Sequence, residues 1–566
     1  MKINWKKTIP IILVLSLSLI SSFRLFRTGY FSMQDDMQIF RLEQFDKCVQ
    51  DLQIPCRYIP DGGLGYGYPL FNYYSPLPYF ISEIFHLLGF SFINSIKITF
   101  VFSRVIAGIG MYLFSSLFWG SLGGIVSSIF FVFSPYMAVD SFVRGSIAEF
   151  LALSLVPLVF WSIYKLITSK NLNIKNIFSP IFFLTLLILS HNLTSFVVLI
   201  ILTIFIFITL LLNKKFNFKS LFISFTPIIF SLLLSSFFLL PAVFEKNLVT
   251  LDTMTQGYFY YAIHFVGLNQ LLLSHFWGYG ASLWGPIDGM SFQVGILHWI
   301  IPIILTIYLF LNFRKIKLNQ KVFFIFFLLL SLFSLFLVHS RSTFIWKLLP
   351  FMPYFQFPWR FLGPAIFGLS FIVGYFPKII KNTRYSYLIS SMLIVSVVLI
   401  NLPYFKEDLW YNNLTDSQKL QGEQLISQSG AGLKDYWPKF SQKVPDYFAP
   451  QNPTSNPDSN IEVIYFDKKS NYVNSQIKVI SSSAEITFPL VYFPKWRIKI
   501  NDKPSDYQID PNLGLIKITL PKGDYEVELN FVDTPIRKIA NLLSLISLFG
   551  LMISLVVINR NHVKSS

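Results

Sequence analysis

Two adjacent carboxylates, Asp35 and Asp36, follow the first apolar segment of this 566-residue chain. Paired carboxylates at a membrane surface can take a proton from a hydroxyl group. They can also hold a divalent cation such as Mg²⁺ or Mn²⁺, which neutralises a phosphate leaving group. The same pair can instead cap the helix that follows, because acidic side chains favour a helix N-terminus. Either interpretation depends on where the membrane places the pair.

The composition is that of a membrane protein. The chain is 53% hydrophobic and 13% charged, and its apolar residues form repeated uncharged runs that are too long for the helices of a soluble core. These runs predict a polytopic α-helical membrane protein. They exclude a soluble enzyme, a coiled coil and a small disulfide scaffold.

Twelve membrane helices are predicted when each span is given about 20 residues. Two long runs are divided, one at Gly120, Gly123 and Gly124 and the other at His191 and Asn192. The predicted helices cover residues 8–29, 94–118, 121–139, 150–167, 177–191, 193–212, 220–243, 293–312, 322–339, 358–376, 386–403 and 537–558. The apolar stretch 77–90 is short and contains Glu83, so we expect a helix at the outer interface.

Basic residues set the predicted orientation. An even number of spans puts both termini on one side, and the loops on that side contain basic residues and no acidic residue. These are Lys2, Lys6, Lys7, Lys165, Lys170, Lys175, Lys214, Lys215, Lys219, Arg314, Lys315, Lys317, Lys321, Lys378, Lys381, Arg384, Arg560 and Lys564. Cytoplasmic loops carry such an excess, so both termini are predicted in the cytoplasm and the net charge of +17 reflects topology rather than nucleic-acid binding. Arg24 and Arg27 follow the first run where a cleavage site would lie, so we expect this helix to be retained.

Three outer regions are long enough to carry function: loops 30–93 and 245–288, and the polar segment 406–533. In the first, Ile39, Leu42 and Phe45 belong to an amphipathic helix that we expect in the headgroup region. Its glycine-rich run 61–69 is predicted to form a turn.

The last polar segment predicts a small extracytoplasmic β-sandwich, because residues alternate at 461–466, 476–480 and 484–488. The predicted domains are therefore a bundle over 1–403, a β-rich domain over 404–535, and a last helix with its tail over 536–566. The β-rich domain could bind carbohydrate and orient an acceptor, or act as a structural cap. We favour the structural cap.

Two other features of the outer loops leave alternatives open. Cys48 and Cys56 can form a disulfide or remain two buried thiols. The aromatic residues of loop 245–288 suit sugar rings and lipid chains, but they suit an aromatic belt at the bilayer surface equally well.

The order of these features resembles the C-type glycosyltransferase (GT-C) superfamily. Five stretches resemble, more closely, the 6-pyruvoyl-tetrahydropterin-synthase-related membrane proteins. They are RGSIAE at 144–149, SHNLT at 190–194, SFQVG at 291–295, FPWRF at 357–361 and YFPKW at 492–496. The family label does not indicate pterin chemistry. The soluble enzyme after which the family is labelled resembles a zinc-dependent lyase that needs three histidines, and the seven histidines of this chain include no pair at metal-ligand spacing.

The superfamily resemblance implies transfer of a sugar from a polyprenyl-phosphate or polyprenyl-diphosphate carrier to a glycan or protein acceptor at the outer membrane face. Asp35 or Asp36 would be the base or the ligand of a divalent cation. Asp140 and Glu149, which flank Arg144, would be the second acidic element of such enzymes. Their alternative role is an interfacial ion pair.

A carrier phosphate needs cations, and arginines on the outer side run against the topological bias. The candidates are Arg104, Arg144, Arg341 and Arg360. Arg104 can instead snorkel to water, and Arg360 can be an interfacial anchor beside Trp359. We favour Arg144 or Arg360 for the phosphate.

A non-catalytic membrane protein is the competing class, either a transporter of lipid-linked sugar or a cell-envelope assembly factor. A transporter of this kind is expected to have charges paired at the bilayer midplane and internal sequence repeats. In this sequence the ionisable residues lie near the outer helix ends, and no internal repeat is apparent. This pattern favours an enzyme at the membrane surface.

Overall fold

The structure is a computed structural model that describes residues 5–170, 174–285, 287–432 and 434–564. Lys2 lies outside the described residues, as do the side chains of Lys6, Lys7, Lys175, Arg560 and Lys564. The α-helices are α1 Trp5–Ile20, α2 Gln38–Gln50, α3 Leu77–Leu87, α4 Phe92–Val132, α5 Pro135–Ala138, α6 Ile147–Thr168, α7 Ile174–Ser190, α8 Asn192–Leu212, α9 Phe218–Leu234, α10 Ser236–Phe244, α11 Leu268–Leu272, α12 Ile296–Leu311, α13 Leu318–Val338, α14 Thr343–Leu348, α15 Leu362–Val373, α16 Phe376–Ile379, α17 Thr383–Asn401, α18 Asp416–Lys419, α19 Gly422–Gly430 and α20 Pro535–Lys564. The strands are β1 Tyr30–Phe31, β2 Trp410–Tyr411, β3 Thr454–Ser455, β4 Ile461–Lys468, β5 Tyr472–Val491, β6 Trp496–Ile500, β7 Lys503–Ser505, β8 Gln508–Ile509 and β9 Leu515–Phe531.

The polytopic helical class is confirmed. Within the described residues, seven helices are long and apolar enough to cross a membrane, and the bent pair α9 and α10 makes an eighth if it is one span. Shorter apolar helices cover Thr8–Ile20, Asn176–Ser190 and Ile296–Leu311. The backbone of α4 leaves helical geometry at Gly120, where the sequence predicts a break.

The predicted helix over 121–139 is shorter than expected. Its regular part ends at Val132, and a new short helix begins at Pro135. Proline has no backbone N–H and disfavours helical geometry in the residue before it, which explains the interruption. A π-helical turn, Val139–Val143, then carries the chain toward α6.

Contacts divide the described chain into two compact units. Unit 1 comprises Met1–Asp36, Ile93–Ser231 and Met254–Leu414. Unit 2 comprises Met37–Phe92, Leu232–Thr253 and Thr415–Ser566. Most of the first outer loop therefore groups with the β-rich segment.

Hydrogen bonds within unit 1 join loops that the sequence places on the same side of the membrane. On the predicted outer side, the backbone N–H of Asp35 donates to the carbonyl of Arg144 at 2.8 Å. On the predicted inner side, Lys215 Nζ donates to the carbonyls of Ile167 and Ser169 at 2.8 and 2.9 Å. This pattern agrees with the predicted alternation of the spans, whereas the side that faces the cytoplasm remains a prediction.

Unit 2 contains the predicted β-rich domain. Its strands form one antiparallel seven-stranded sheet rather than two separate sheets, with β5 and β9 as long central strands whose register shifts twice. Alternate residues face a core that includes Ile486, Trp496 and Leu529. Tyr58 of the first loop joins this core and donates a hydrogen bond to the carbonyl of Val491 at 2.8 Å.

A buried ion pair joins α10 to α20 in unit 2. The carboxylate of Glu245 accepts from Arg537 Nε at 2.9 Å and from the hydroxyl of Thr534 at 2.5 Å. Arg537 is fully buried, and its guanidinium lies over the rings of Phe493 and Phe531. Because a buried charge needs a partner, this pair fixes where the last helix begins.

The apolar face of α2 differs from the expectation. Ile39, Leu42 and Phe45 are buried in protein instead of facing lipid headgroups. The ring of Phe45 packs edge-on against Phe71 and Phe80, at centroid distances of 5.2 and 4.7 Å. Protein therefore covers the face that the sequence assigns to the membrane.

The open question of the two cysteines is also answered in unit 2. Cys48, in α2, and Cys56, in the loop that follows it, form a disulfide. This outcome selects the first of the two alternatives and agrees with an outer location, where disulfides persist.

Two carboxyl groups meet between α2 and α3. Asp46 and Glu83 are both buried, and Gln50 Nε2 donates to Asp46 at 2.6 Å. Burial, with the charge and hydrogen bond of Asp46, raises the pKa of Glu83 to about 8. Glu83 is therefore protonated at neutral pH, because two carboxylates in contact disfavour full ionisation.

We expect the stability of the protein to fall as the pH rises from about 4.5 to about 8. In this window the unfolded chain releases the proton of Glu83 while the folded chain keeps it, so a higher pH favours unfolding. Glu83→Gln should flatten this part of the profile, because the amide does not titrate. Melting temperatures of the detergent-solubilised protein between pH 4.5 and 8 test this, with the exposed Glu462→Gln as the matched control. An unchanged slope in Glu83→Gln would contradict it.

Candidate functional site

The site of unit 1 is built on the π-helical turn Val139–Val143, which contains Asp140. The N–H of Arg144 closes this turn by donating to the carbonyl of Val139 at 2.8 Å. The guanidinium of Arg144 donates to the carboxylate of Asp140. π-Helical turns are rare and occur frequently at functional sites, so the turn marks this region as a candidate.

Glu149 is the most fully compensated charge of the site. It lies in the first turn of α6, and only 1% of its surface is exposed. Its carboxylate accepts from the hydroxyl of Tyr136 at 2.7 Å, from Arg144 Nη1 at 2.9 Å and from Arg360 Nε at 3.3 Å. Three donors on one carboxylate offset the cost of its burial.

Arg360 reaches Glu149 from the 3₁₀ turn Pro358–Phe361, which precedes α15. Its Nη1 donates to the carbonyl of Phe355 at 2.8 Å and to Gln356 Oε1 at 3.1 Å. The side chain is 15% exposed, more than that of Arg144 at 6%. Arg360 is thus the better placed of the two arginines to meet a ligand.

An apolar crevice borders on Arg360. It lies among α6, α8 and α15, and its other lining residues are nearly all hydrophobic. They include Leu153, Val156, Phe160, Leu193, Val197, Ile201 and Phe367. The crevice leaves about 30 Å³ open, so a lipid chain inside it would have to displace lining side chains. An apolar crevice with a cation among its lining residues suits a lipid with an anionic head.

The charge of this cluster depends on Asp140. Burial and the neighbouring Glu149 raise the pKa of Asp140 well above its usual value, although Arg144 acts in the opposite direction. The cluster therefore places Arg144 and Arg360 beside Glu149 and beside an Asp140 whose charged form is disfavoured, with the charge of Asp35 also acting on Arg144. Arg360, the more exposed arginine, is the group that an anionic ligand could meet.

Arg144 keeps its charge in this setting. Burial alone would lower its pKa, but the carboxylates of Glu149, Asp140 and Asp35 outweigh burial and raise it. The guanidinium also lies 4.6 Å above the centroid of the Trp359 ring. These contacts hold Arg144 in one orientation beside Arg360.

His191 is a neutral member of the same region. It caps α8, where its ring accepts from the N–H of Thr194. Burial and the charges of Arg360 and Arg144 lower its pKa to about 4 against the opposing effect of Glu149. The ring is therefore uncharged at neutral pH and can donate or accept a hydrogen bond.

The structure brings Asp35 to this cluster through the backbone. Gln34 and Asp35 donate their N–H groups to the carbonyls of Val143 and Arg144 at 3.0 and 2.8 Å. The side chains of Asp35 and Asp36 are half-buried. The sequence-predicted acidic pair and the second acidic element therefore belong to one region of unit 1.

Gly145 holds the segment that carries Asp35. Its φ of +65° lies in the left-handed region, which favours glycine. A Cβ at this position would lie 2.1 Å from the sulfur of Met33. The close approach of Met33 therefore requires glycine here.

The other two predicted arginines are placed differently. Arg104 is fully buried among Phe142, Phe150 and Phe405, and its Nη2 donates to Ser141 Oγ. It therefore does not snorkel to water or present a surface to a phosphate. Arg341 is exposed on a turn after α13 and is not among the residues that contact Glu149 in the described chain. Neither residue supports the phosphate role that the sequence allows for it.

The residues that position Trp359 next to Arg144 were not predicted from the sequence. Trp359 Nε1 donates to Ser282 Oγ at 3.2 Å, and that oxygen lies 2.9 Å from His264 Nδ1. Loop 245–288 thus positions the ring beneath the arginine, a role that its aromatic composition did not reveal. The signal was present in the FPWRF and SHNLT stretches, which supply Trp359, Arg360 and His191.

We expect Glu149→Gln to destabilise unit 1. The amide cannot compensate two arginines, and breaking a buried ion pair costs about 3–5 kcal/mol. The melting temperature of the solubilised protein should fall clearly. Glu485→Gln, an exposed carboxylate of β5, is the control and should leave it nearly unchanged. Equal melting of both variants would show that Glu149 does not anchor the cluster.

We expect Gly145→Ala to lower stability by more than the backbone effect of about 1–3 kcal/mol for a left-handed alanine. Gly257→Ala is the matched control, because its φ is +56° and its Cβ would meet open space. Adding Met33→Ala to Gly145→Ala should recover the excess loss in a thermal melt. If the two glycine variants melt alike, the Met33 contact does not hold this segment.

The chain is similar to an uncharacterised protein of Lactococcus lactis subsp. cremoris (strain MG1363), at 24% identity over 353 residues, which cover 59% of this chain and 54% of the relative. This chain thus spans about half the length of that relative. It is also similar to the crystal structure of ArnT from Cupriavidus metallidurans bound to undecaprenyl phosphate. That likeness has a TM-score of 0.36 and 10% identity, and it covers 70% of this chain and 64% of the other.

The model of one family matches residues 71–406, more than half of the chain. Its description is "6-pyruvoyl-tetrahydropterin synthase related domain; membrane protein". The match includes four of the five stretches on which the resemblance was based. The chain belongs to the 6-pyruvoyl-tetrahydropterin-synthase-related family of membrane proteins.

Proposed function

We propose that this protein is a membrane glycosyltransferase that moves a sugar from a polyprenyl-phosphate-linked donor to a glycan or protein acceptor at the outer membrane face. One observation carries the proposal. Arg360 is partly exposed, lines an apolar crevice and binds Glu149 in one cluster with Arg144 and Asp140, and the backbone of Asp35 is hydrogen-bonded to Arg144. Such a site matches both parts of a lipid phosphate.

Arg360 binds the carrier phosphate in this proposal. Arg360 lines the crevice and is partly exposed, whereas Arg144 is held by the carboxyl groups of Asp140 and Glu149 and by the ring of Trp359. Arg144 therefore acts mainly by positioning Glu149, which also binds Arg360. The isoprenoid chain follows the apolar side chains of α8 and α15, which part to admit it.

Asp35 or Asp36 acts as the base. The carboxylate takes the proton of an acceptor hydroxyl, whose oxygen bonds to C1 of the sugar. The bond between C1 and the phosphate oxygen breaks, and its electron pair remains on that oxygen. The polyprenyl phosphate gains one negative charge, which Arg360 stabilises.

A divalent cation is compatible with the acidic pair. The described residues contain no group of three or more His, Cys, Asp or Glu side chains that could hold a metal ion. Mg²⁺ is commonly bound by one or two carboxylates together with substrate phosphates and water, and Asp35 and Asp36 fit that donor set. The ion would supply neutralisation of phosphate charge.

A defined variant set tests the proposal in the source cell and with the purified full chain. Asp35→Asn or Asp36→Asn should lower sugar transfer by about 10²–10⁴-fold, the usual contribution of a general base. Binding of a fluorescent polyprenyl phosphate should stay unchanged in that variant. Arg360→Ala should weaken this binding at least tenfold.

Matched controls separate these effects from misfolding. Asp408→Asn removes an exposed acid of unit 1, and Arg341→Ala removes an exposed arginine, so neither should change transfer or binding. Normal surface glycans in cells that express both Asp35→Asn and Asp36→Asn at wild-type levels would contradict catalysis. If carrier binding persists in them, the transporter or assembly-factor alternative is favoured.

A further inference from the structure

The glycine-rich turn of unit 2 packs against a second segment of the same unit. The N–H of Ala449 donates to the carbonyl of Leu64 at 2.9 Å. A Cβ at Gly65 would lie 3.3 Å from the Cβ of Ala449. We name the turn 61–67, together with residues 447–450, the ridge. Residues of the ridge line two separate pockets.

The first pocket, which we name the Lys47 pocket, has a cavity volume of about 250 Å³. Lys47 Nζ contacts the carboxylates of Glu43 and Asp61 at 2.5 and 2.6 Å. Gln44 is fully buried, and its Nε2 donates to both carboxylates at 2.7 and 2.9 Å. The ring of Phe448, which is 42% exposed, forms another wall. The polar groups of this pocket are therefore fixed before any ligand arrives.

The second pocket, which we name the Tyr447 pocket, has a cavity volume of about 280 Å³. Tyr447 is 57% exposed, and its ring lies 6.2 Å from that of Tyr66. Asp510 and Lys517 form an ion pair at 3.6 Å in the opposite wall. The remaining polar lining residues are Thr454, Thr487 and Asn512.

The two pockets share part of their chemistry. Each combines an exposed aromatic ring with side chains that donate and accept hydrogen bonds and with charges of both signs, and the Lys47 pocket is also lined by Leu420 and Leu425. A phosphate would require an excess of cations, and a lipid chain would require a lining without charges. A sugar ring has an apolar face and a rim of hydroxyl groups that both donate and accept, so it matches this combination.

We propose that the ridge separates two subsites of one glycan-binding site in unit 2, and that the Lys47 and Tyr447 pockets bind sugar residues of the same neutral or amino-sugar oligosaccharide. Tyr447 and Phe448 are consecutive residues that line different pockets, so one short segment supplies both stacking rings. Binding at this site requires no residue of the transfer cluster. The inference therefore stands or fails independently of the proposed function.

The detergent-purified full chain should be titrated with four trisaccharides: chitotriose, cellotriose, maltotriose and xylotriose. At least one should bind saturably. Tyr447→Ala and Phe448→Ala should each weaken that binding at least tenfold, because each removes the ring of one pocket. Tyr465→Ala removes a ring of β4 that is 47% exposed and outside both pockets, and it should leave the affinity unchanged.

Two further measurements sharpen the test. Asp61→Asn should weaken binding too, and a melting temperature for each variant identifies any loss that arises from unfolding. Asp35→Asn should bind the trisaccharide normally, which separates this site from transfer. Absence of saturable binding to all four sugars would overturn the proposal, as would equal affinity in wild type, Tyr447→Ala and Phe448→Ala.

Discussion

A charge inside an apolar helical bundle must be compensated at close range, and the site of unit 1 is organised by this constraint. Glu149 is buried at the start of α6 and is satisfied only when Tyr136, Arg144 and Arg360 all reach it. These donors come from three different segments of the chain. The position of one carboxylate therefore fixes the π-helical turn, the turn before α15 and the first turn of α6 relative to one another.

The same compensation is unequal for the two arginines. Arg144 is nearly buried between Asp140 and Glu149, whereas Arg360 pairs with Glu149 and is 15% exposed. Burial and Glu149 disfavour the charged form of Asp140. The exposed part of Arg360 and the apolar crevice beside it are the features of this site that suit an anionic lipid.

The buried charged groups of unit 2 are paired in a different way. Glu245, Arg537 and Thr534 are joined by buried hydrogen bonds that fix the start of the last helix. Around the ridge, by contrast, the charges of Glu43, Lys47 and Asp61 are paired but line an open pocket. Paired charges that line an open pocket suit a neutral ligand rich in hydroxyl groups, whereas the partly exposed Arg360 of unit 1 suits a phosphate.

Much of the architecture could be predicted from the composition and from the periodicity of the hydrophobic residues, because both are local properties of the sequence. The uncharged runs predicted the helical class, Gly120 and Pro135 explain where helices are interrupted, and the alternating residues of 461–488 predicted a β-rich domain. The sandwich was not correct in detail, since register and strand order depend on partners far apart in the chain. The surroundings of α2 were also missed, because periodicity shows that a face is apolar and not what covers it.

The sequence by itself determined that this is a helical membrane protein, and it predicted which loops share a side of the membrane and which residue types could bind a lipid phosphate. Only the tertiary structure decided which of those residues meet. Glu149 and Arg360 are 211 residues apart in sequence, and no local pattern could pair them or bury Arg104 among aromatic rings. The physical reason is that a charge finds its partner through packing between helices, whereas the preference of a segment for the membrane is the sum of its own side chains.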